Sequence, residues 1–245
     1  MQFDPHSTSF NFHSGEVILV DKPLGFTSFQ VVNHLKYLIK NHPSLMVDGN
    51  KVKPKVGHAG TLDPLATGLL VICTGKKTKT IEAIQSQEKE YTGTFFIGAT
   101  TPCFDREKEI DVTFSVSHIT EEIITKTSQL FIGKQQQFPP IYSAIKIEGK
   151  RAYELARSGE HAEIKSKEIE IKSFEITKVE MPLVEFKIVC SKGTYIRSIA
   201  RDFGKALNSG AYLNELRRTR IGEFKVEDAY FPNKLQFARI KTSET

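Results

Sequence analysis

Cysteine is scarce. The 245 residues contain only three, Cys73, Cys103 and Cys190, widely separated and odd in number. That excludes a disulfide framework and a zinc knuckle, and a cytoplasmic setting is the expectation for such usage. Long apolar runs are also missing. The longest, Leu69-Leu70-Val71-Ile72-Cys73, falls far short of the roughly 20 residues of a membrane helix. The opening MQFDPHSTSFNFHSG has neither a basic nor an apolar stretch of the kind that marks a signal peptide. Charge of one sign is not abundant either: 34 Lys and Arg against 29 Asp and Glu leave +5. Such a balance permits a polyanionic partner without demanding one. There is no internal repeat and no low-complexity tract.

Several chemical signatures are absent as well. Gly68 and Gly75-Lys76 suggest a phosphate loop, but six residues separate the glycines and Lys77 stands where Ser or Thr is needed. No G-x-G-x-x-G, H-E-x-x-H, C-x-x-C or G-x-S-x-G occurs, and the seven histidines lack ligand spacing. Dinucleotide, zinc and serine-hydrolase chemistry therefore have no support.

What remains is an ordinary globular composition, 39% hydrophobic and 26% charged, in a chain long enough for one large domain. Residues 1–14 are polar and aperiodic and read as a loose tail. Glu16–Val20 reads as a buried strand. Thr27 and Gln30 have capping-box spacing ahead of a helix whose stripe is Val31, Leu35 and Leu38. A basic loop covers 41–56. Leu69–Cys73 is a short buried strand, 78–84 a short helix, Tyr91–Ile97 a strand and 120–130 a helix. Residues 133–149 form a connector with a Pro-Pro stop, and 152–158 a short helix. The alternation over 163–179 shifts phase, which implies two strands or one bulged strand. Val184, Phe186, Ile188 and Cys190 alternate as a half-buried strand. Thr194 caps a helix whose first turn contains Tyr195 and Arg197. Helices and antiparallel-looking strands together give an α+β or mixed α/β class.

The basic residues fall in four clusters: Lys51/Lys53/Lys55, Lys76/Lys77/Lys79, Lys146/Lys150/Arg151 and Arg217/Arg218/Arg220. Each alone reads as solvated surface; together they suit a phosphate-tracking face. Asp63 stands out among the acids. Pro64 pushes it into an extended conformation, and Gly60 and Gly68 bracket it. It reads either as turn chemistry or as a carboxylate offered to a substrate. Arg197 lies where the helix dipole mildly disfavours a cation, so it needs another partner. Tyr91 opens a strand and reads by itself as a core tyrosine.

Taken in order, VDKPLGFTS (20–28), KVGHAGTLDPLATGLLVICTGKKTK (55–79), KEYTGTF (89–95), PPIYSAIKIEGKRAYELARSG (139–159), KGTYIRSIARDFG (192–204) and LRRTRIG (216–222) resemble the TruB family of bacterial tRNA pseudouridine synthases. The resemblance implies a pseudouridine synthase fold: a mixed, mainly antiparallel central sheet flanked by helices, with the active-site cleft across the sheet. It implies isomerisation of the T-loop uridine, position 55 of tRNA, by base flipping, with no cofactor and no metal. By position, Asp63 matches the catalytic aspartate, and Arg197 matches the arginine paired with it. Tyr91 matches the tyrosine stacked on the target base, and its hydroxyl is a candidate for moving the C5 proton. His58 matches the histidine that fills the stack left by the flipped base. Tyr195 and Leu216 match residues lining the uridine pocket. Lys22, Lys76, Lys146, Arg217 and Arg218 are candidates for RNA contact. The region 123–150 matches the family's RNA-gripping element.

The expected organisation is a loose tail over 1–14, a catalytic domain over 15–225 and a short extension over 226–245. Some 23 residues follow Gly222, too few for a PUA-type RNA-binding domain. The expected partner is the tRNA T stem-loop, with no membrane, and the chain is expected to be a monomer. A catalytically silent RNA-binding module on the same scaffold is the alternative. A glycosidase-like carboxylate enzyme would need a second acid in a comparable loop, and none is present.

Overall fold

The computed structural model describes residues 4, 7, 9–142, 146, 147, 150, 151 and 165–231. The helix expected over 152–158 lies outside them. In chain order the strands are β1 (Val17–Lys22), β2 (Val56–His58), β3 (Ala66–Thr74), β4 (Lys89–Ile97), β5 (Gly133–Gln137), β6 (Lys167–Glu180), β7 (Leu183–Cys190), β8 (Ala211–Ile221) and β9 (Phe224–Lys225). The helices are α1 (Ser28–Ile39), α2 (Ile81–Ser86), α3 (Glu121–Gln129) and α4 (Ile196–Ala206). Two-residue ribbons add Met46–Val47 with Asn50–Lys51, Ala99–Thr100 with Val112–Thr113, and Lys146–Ile147 with Lys150–Arg151. The chain divides into two compact units. One is Met1–Lys89 with Arg217–Thr245; the other is Glu90–Leu216.

In the first unit β3 is central. β1 runs antiparallel to it from Val17↔Cys73 to Lys22↔Gly68, and β2 pairs with it from Val56↔Thr74 to His58↔Ile72. Every residue of β3 except Thr67 is buried, which is why Leu69–Cys73 is apolar without alternation. β1 alternates instead, with Ile18, Val20 and Lys22 on its buried phase. The α1 capping box is present: Gln30 N–H donates to Thr27 Oγ1 at 3.1 Å, and Thr27 N–H donates to Gln30 Oε1 at 2.8 Å. It starts the helix where Val31, Val32, Leu35 and Ile39 meet Ile18, Val20, Leu70 and Ile72. The basic loop after α1 contains a 3₁₀ turn, Pro43–Leu45, that sends Leu45 into this cluster. The short helix expected over 78–84 is a 3₁₀ turn over Gly75–Thr80 that leads into α2.

The loose tail expected over 1–14 is corrected over its second half. Phe12 is fully buried in the α1 cluster, its ring edge-on to His42 with centroids 4.7 Å apart. Phe12 N–H donates to Ser44 Oγ at 3.0 Å. Two aromatics in a polar string create no period, yet one such ring fills a core site worth several kcal/mol.

In the second unit the strand order is β8 (up to Leu216), β4, β7, β6, β5. β6 is one strand with register shifts at Ile171/Ser173 and Ile176/Lys178, the bulged alternative of the sequence reading. The core is aromatic. Phe95 packs on Phe186 at 4.2 Å between centroids, and Phe203 of α4 lies 5.4 Å from Phe174. Thr194 does not cap α4. Tyr195 is the N-cap and makes no side-chain cap bond, while Thr194 Oγ1 donates to Ser191 O at 3.0 Å. β8 is a strand that the arginine-rich 216–222 conceals from periodicity. The class is α+β, with antiparallel strand pairings and isolated parallel bridges at Val20↔Tyr230 and Asp105↔Leu213. Among the described residues no helix is long and apolar enough to cross a membrane.

Phe12→Ala is expected to lower unfolding free energy by about 3–4 kcal/mol, the cost of emptying a buried aromatic site. Urea denaturation measures it, and a loss under about 1 kcal/mol would show that the segment is not part of the core.

Candidate active site

Asp63 is half-buried on the loop between β2 and β3 of the first unit, and its setting is defined by the way that loop is held. Ala59 and Leu62 of this loop are buried, but irregular backbone lacks ladder partners, so its polar groups must be satisfied by other means. Five consecutive carbonyls, from Gly60 to Pro64, all accept hydrogen bonds. Arg218 donates from Nη2 to Gly60 O at 3.0 Å and from Nη1 to Thr61 O at 3.5 Å. Ser28 Oγ donates to Leu62 O at 3.1 Å and accepts Leu62 N–H at 2.9 Å. Ala66 N–H donates to Asp63 O at 3.0 Å, and Gly25 N–H to Pro64 O at 2.9 Å. Ser28 is the first residue of α1, so the capping box that starts the helix also places this clamp. The result is a rigid platform with one carboxylate on it.

Two cations lie buried under the platform. Arg218 is 1% exposed, and its Nε also donates to Leu69 O at 2.8 Å. Gly68 makes the approach possible: at φ +99°, a Cβ there would stand 2.3 Å from the Arg218 carbonyl oxygen. Lys22 is fully buried, with Nζ donating to Phe26 O at 2.7 Å, Pro23 O at 3.0 Å and Pro64 O at 3.5 Å. Burial pushes its pKa down to about 8; the Asp63 charge opposes the fall and Arg218 adds to it.

His58, at the end of β2, is half-buried, and its Nδ1 has no hydrogen-bond partner among the described residues. Burial chiefly lowers its pKa, a hydrogen bond with the Gly60 backbone opposes, and the Arg218 charge adds to the fall. The neutral imidazole is therefore favoured at neutral pH.

Lys22 and Arg218, offered by sequence as RNA contacts, are corrected: both are buried and bonded to carbonyls, so neither presents charge to solvent. Arg217 is engaged as well, in a fork with Asp21 at 2.9 and 2.7 Å. Lys76 is exposed on the 3₁₀ turn.

In the second unit Tyr91 lies on β4 and is 8% exposed. Leu216 and Tyr195 are half-buried. Arg197, at the second position of α4, is buried. Its Nε lies 3.5 Å from Asp105 Oδ2, Nη2 donates to Tyr142 O at 3.0 Å, and Nη1 donates to Cys103 O at 3.4 Å. The partner its position demanded includes Asp105, a residue that sequence reasoning missed. Asp105 is 5% exposed, in the aperiodic stretch PCFDREKE, where one acid among several carries no mark. Lys146 lies on a two-residue ribbon opposite Arg151.

The TruB family pseudouridylate synthase (N terminal domain) model matches residues 49–196. tRNA pseudouridine synthase B of Flavobacterium johnsoniae is 57% identical over 222 residues, 91% of this chain and 95% of that protein. The Phocaeicola vulgatus protein of the same name is 53% identical, over 89% of this chain and 90% of that one. A crystal structure of a Cbf5-Nop10-Gar1 complex contains a chain that superposes with a TM-score of 0.66 at 29% identity, over 96% of this chain and 57% of that one. An H/ACA RNP bound to a substrate RNA containing 2′-deoxyuridine gives 0.64 at 26% identity, over 99% and 61%. The chain thus spans about three fifths of those longer chains. It belongs to the TruB family of pseudouridylate synthases.

Lys22 yields a pH signature. Its folded pKa of about 8 lies below its ordinary 10.5, so between these values the unfolded chain binds more protons. Stability contributed by this group therefore rises with pH across that window. The stability difference between the parent and Lys22→Met should shift in favour of the parent from pH 8 to 10.5; a difference flat with pH would refute the burial of the charge.

Proposed function

We infer that this chain is a tRNA pseudouridine synthase that isomerises the T-loop uridine. The observation that carries the reading is the platform: five satisfied carbonyls that hold Asp63 half-exposed, in a chain of the TruB family. Forming pseudouridine breaks the N1–C1′ bond, turns the uracil and joins C5 to C1′. Nothing is oxidised and no group is transferred to a second molecule, so the chemistry asks for a fixed carboxylate rather than a redox group. Asp63 is assigned as that carboxylate, and Arg197 as a catalytic charge. A uridine inside a folded loop must be flipped out to be reached. Tyr91 supplies a π-face for the flipped base, and Tyr195 and Leu216 line its pocket. The neutral, half-buried His58 suits the apolar gap left in the stack. Lys76 and its exposed neighbours Lys77 and Lys79 supply phosphate contacts.

Asp63→Asn should lower the single-turnover rate on a T-stem-loop RNA by about 10⁴-fold or more while leaving RNA affinity within about threefold. Carbodiimide labelling of pseudouridine reads the product. Binding by the parent without conversion would instead favour the silent RNA-binding reading. Arg197→Lys cannot reproduce three contacts made by a planar fork. It should cost about 100-fold in rate and far less in affinity; equal losses would make Arg197 a phosphate-binding residue.

A further inference from the structure

Helix α4 begins without a cap of its own, since Tyr195 makes no side-chain bond to the first turn. The first N–H groups of a helix have no intrahelical acceptors and must find partners elsewhere. Here a partner comes from a distant strand. Gln137, the last residue of β5 and 3% exposed, closes on the backbone of Tyr195 from both sides. Its Oε1 accepts Tyr195 N–H at 2.8 Å, and its Nε2 donates to Tyr195 O at 3.1 Å. The next residue continues the bond to the helix: Phe138 O accepts from Ser198 Oγ at 2.9 Å and from Arg201 Nη2 at 3.4 Å.

Lys167 faces Gln137 directly in the antiparallel β5–β6 register. Residues opposite each other in such a pair send their side chains to the same face. The Lys167 ammonium lies 4.3 Å from the centroid of the Tyr195 ring. Tyr195 is thus held twice, its backbone by an amide and its ring by a cation. A carboxamide is suited to the first task because it both donates and accepts; a carboxylate only accepts and an ammonium only donates.

We propose that Gln137 and Lys167 are positioning residues for the isomerisation: Gln137 fixes the start of α4, and with it Tyr195 and Arg197, and Lys167 fixes the tilt of the Tyr195 ring. The inference rests on the reading of Tyr195 and Arg197 as substrate-side groups. Displacements of about 1 Å away from the chemistry can cost up to about 100-fold in rate, which sets the scale.

Two independent readouts test it. Amide hydrogen exchange on the free protein reports the clamp, and single-turnover conversion of T-stem-loop RNA at saturating enzyme reports its use. Gln137→Met, similar in length but without hydrogen bonds, should speed exchange at the Tyr195 amide about tenfold or more. It should slow conversion by about 10–100-fold, with RNA affinity within about threefold of the parent. Lys167→Met should slow conversion, Lys167→Arg should restore most of the rate, and Lys167→Met should add nothing in a Tyr195→Ala background. If Gln137→Met does not fold, Gln137→Glu, which keeps the acceptor for Tyr195 N–H, and the Lys167 series carry the test. Faster exchange with an unchanged rate would overturn the positioning role, and unchanged exchange would overturn the clamp. A parent that makes no pseudouridine would instead defeat the functional reading, while the exchange result would stand.

Discussion

A guanidinium bonded to three backbone carbonyls is the interaction on which the Asp63 loop depends. Arg218 reaches Gly60 O, Thr61 O and Leu69 O, so one side chain ties the loop to the strand that follows it. Ordering an irregular loop costs conformational entropy, which the burial of Ala59 and Leu62 offsets only in part. Hydrogen bonds from a buried cation are stronger than those from neutral donors, and the fork supplies several from one anchored group. Burying the charge is costly in isolation, and the three carbonyl dipoles offset that cost. Lys22 repeats the device with an ammonium under Pro64. Its charge also gains from Asp63 and loses to Arg218, so the two cations and the carboxylate form one electrostatic unit.

The second unit solves a similar problem at the start of α4. There too the segment is held by polar side chains from elsewhere in the chain rather than by local caps. Gln137 satisfies the Tyr195 backbone, and Asp105 with two carbonyls satisfies Arg197. The aromatic cluster of Phe95, Phe174, Phe186 and Phe203 holds the body of the helix. It places the helix axis, while the polar bonds set its first turn. Division of labour of this kind suits a site that needs geometry finer than apolar packing alone supplies.

Elements whose reason is local were legible in the sequence. The α1 capping box, the buried run of β3, the alternation of β7 and the phase shift of β6 each arise from neighbours a few residues apart. Asp63 stood out because its glycine and proline neighbours are adjacent in sequence. The roles that escaped notice depend on distant partners. Gln137 bonds Tyr195 across 58 residues, and Arg218 bonds Gly60 across 158. No spacing rule reports such a pair. Lys22 did carry a local signal, because it shares the buried phase of Ile18 and Val20, but a lysine on that phase reads as a strand end reaching solvent. Phe12 failed for the opposite reason: an isolated aromatic has no period, and its burial depends on a gap under α1 that exists only in the folded unit.

The same physics divides the basic residues into two populations. Arg217 forks onto Asp21, Arg218 onto carbonyls, and Arg220 pairs with Glu88 at 2.7 Å and donates to Gly222 O at 2.9 Å. Every arginine of LRRTRIG is therefore bound to fixed acceptors, and one of the four basic clusters serves at least in part as framework. Lys51, Lys53, Lys55, Lys76, Lys77 and Lys79 are instead exposed. A planar fork suits acceptors fixed in space, whereas a hydrated ammonium on a flexible stem suits a phosphate whose position varies. On the proposed function, counterion release on RNA binding is therefore expected from the lysine clusters rather than from the arginines.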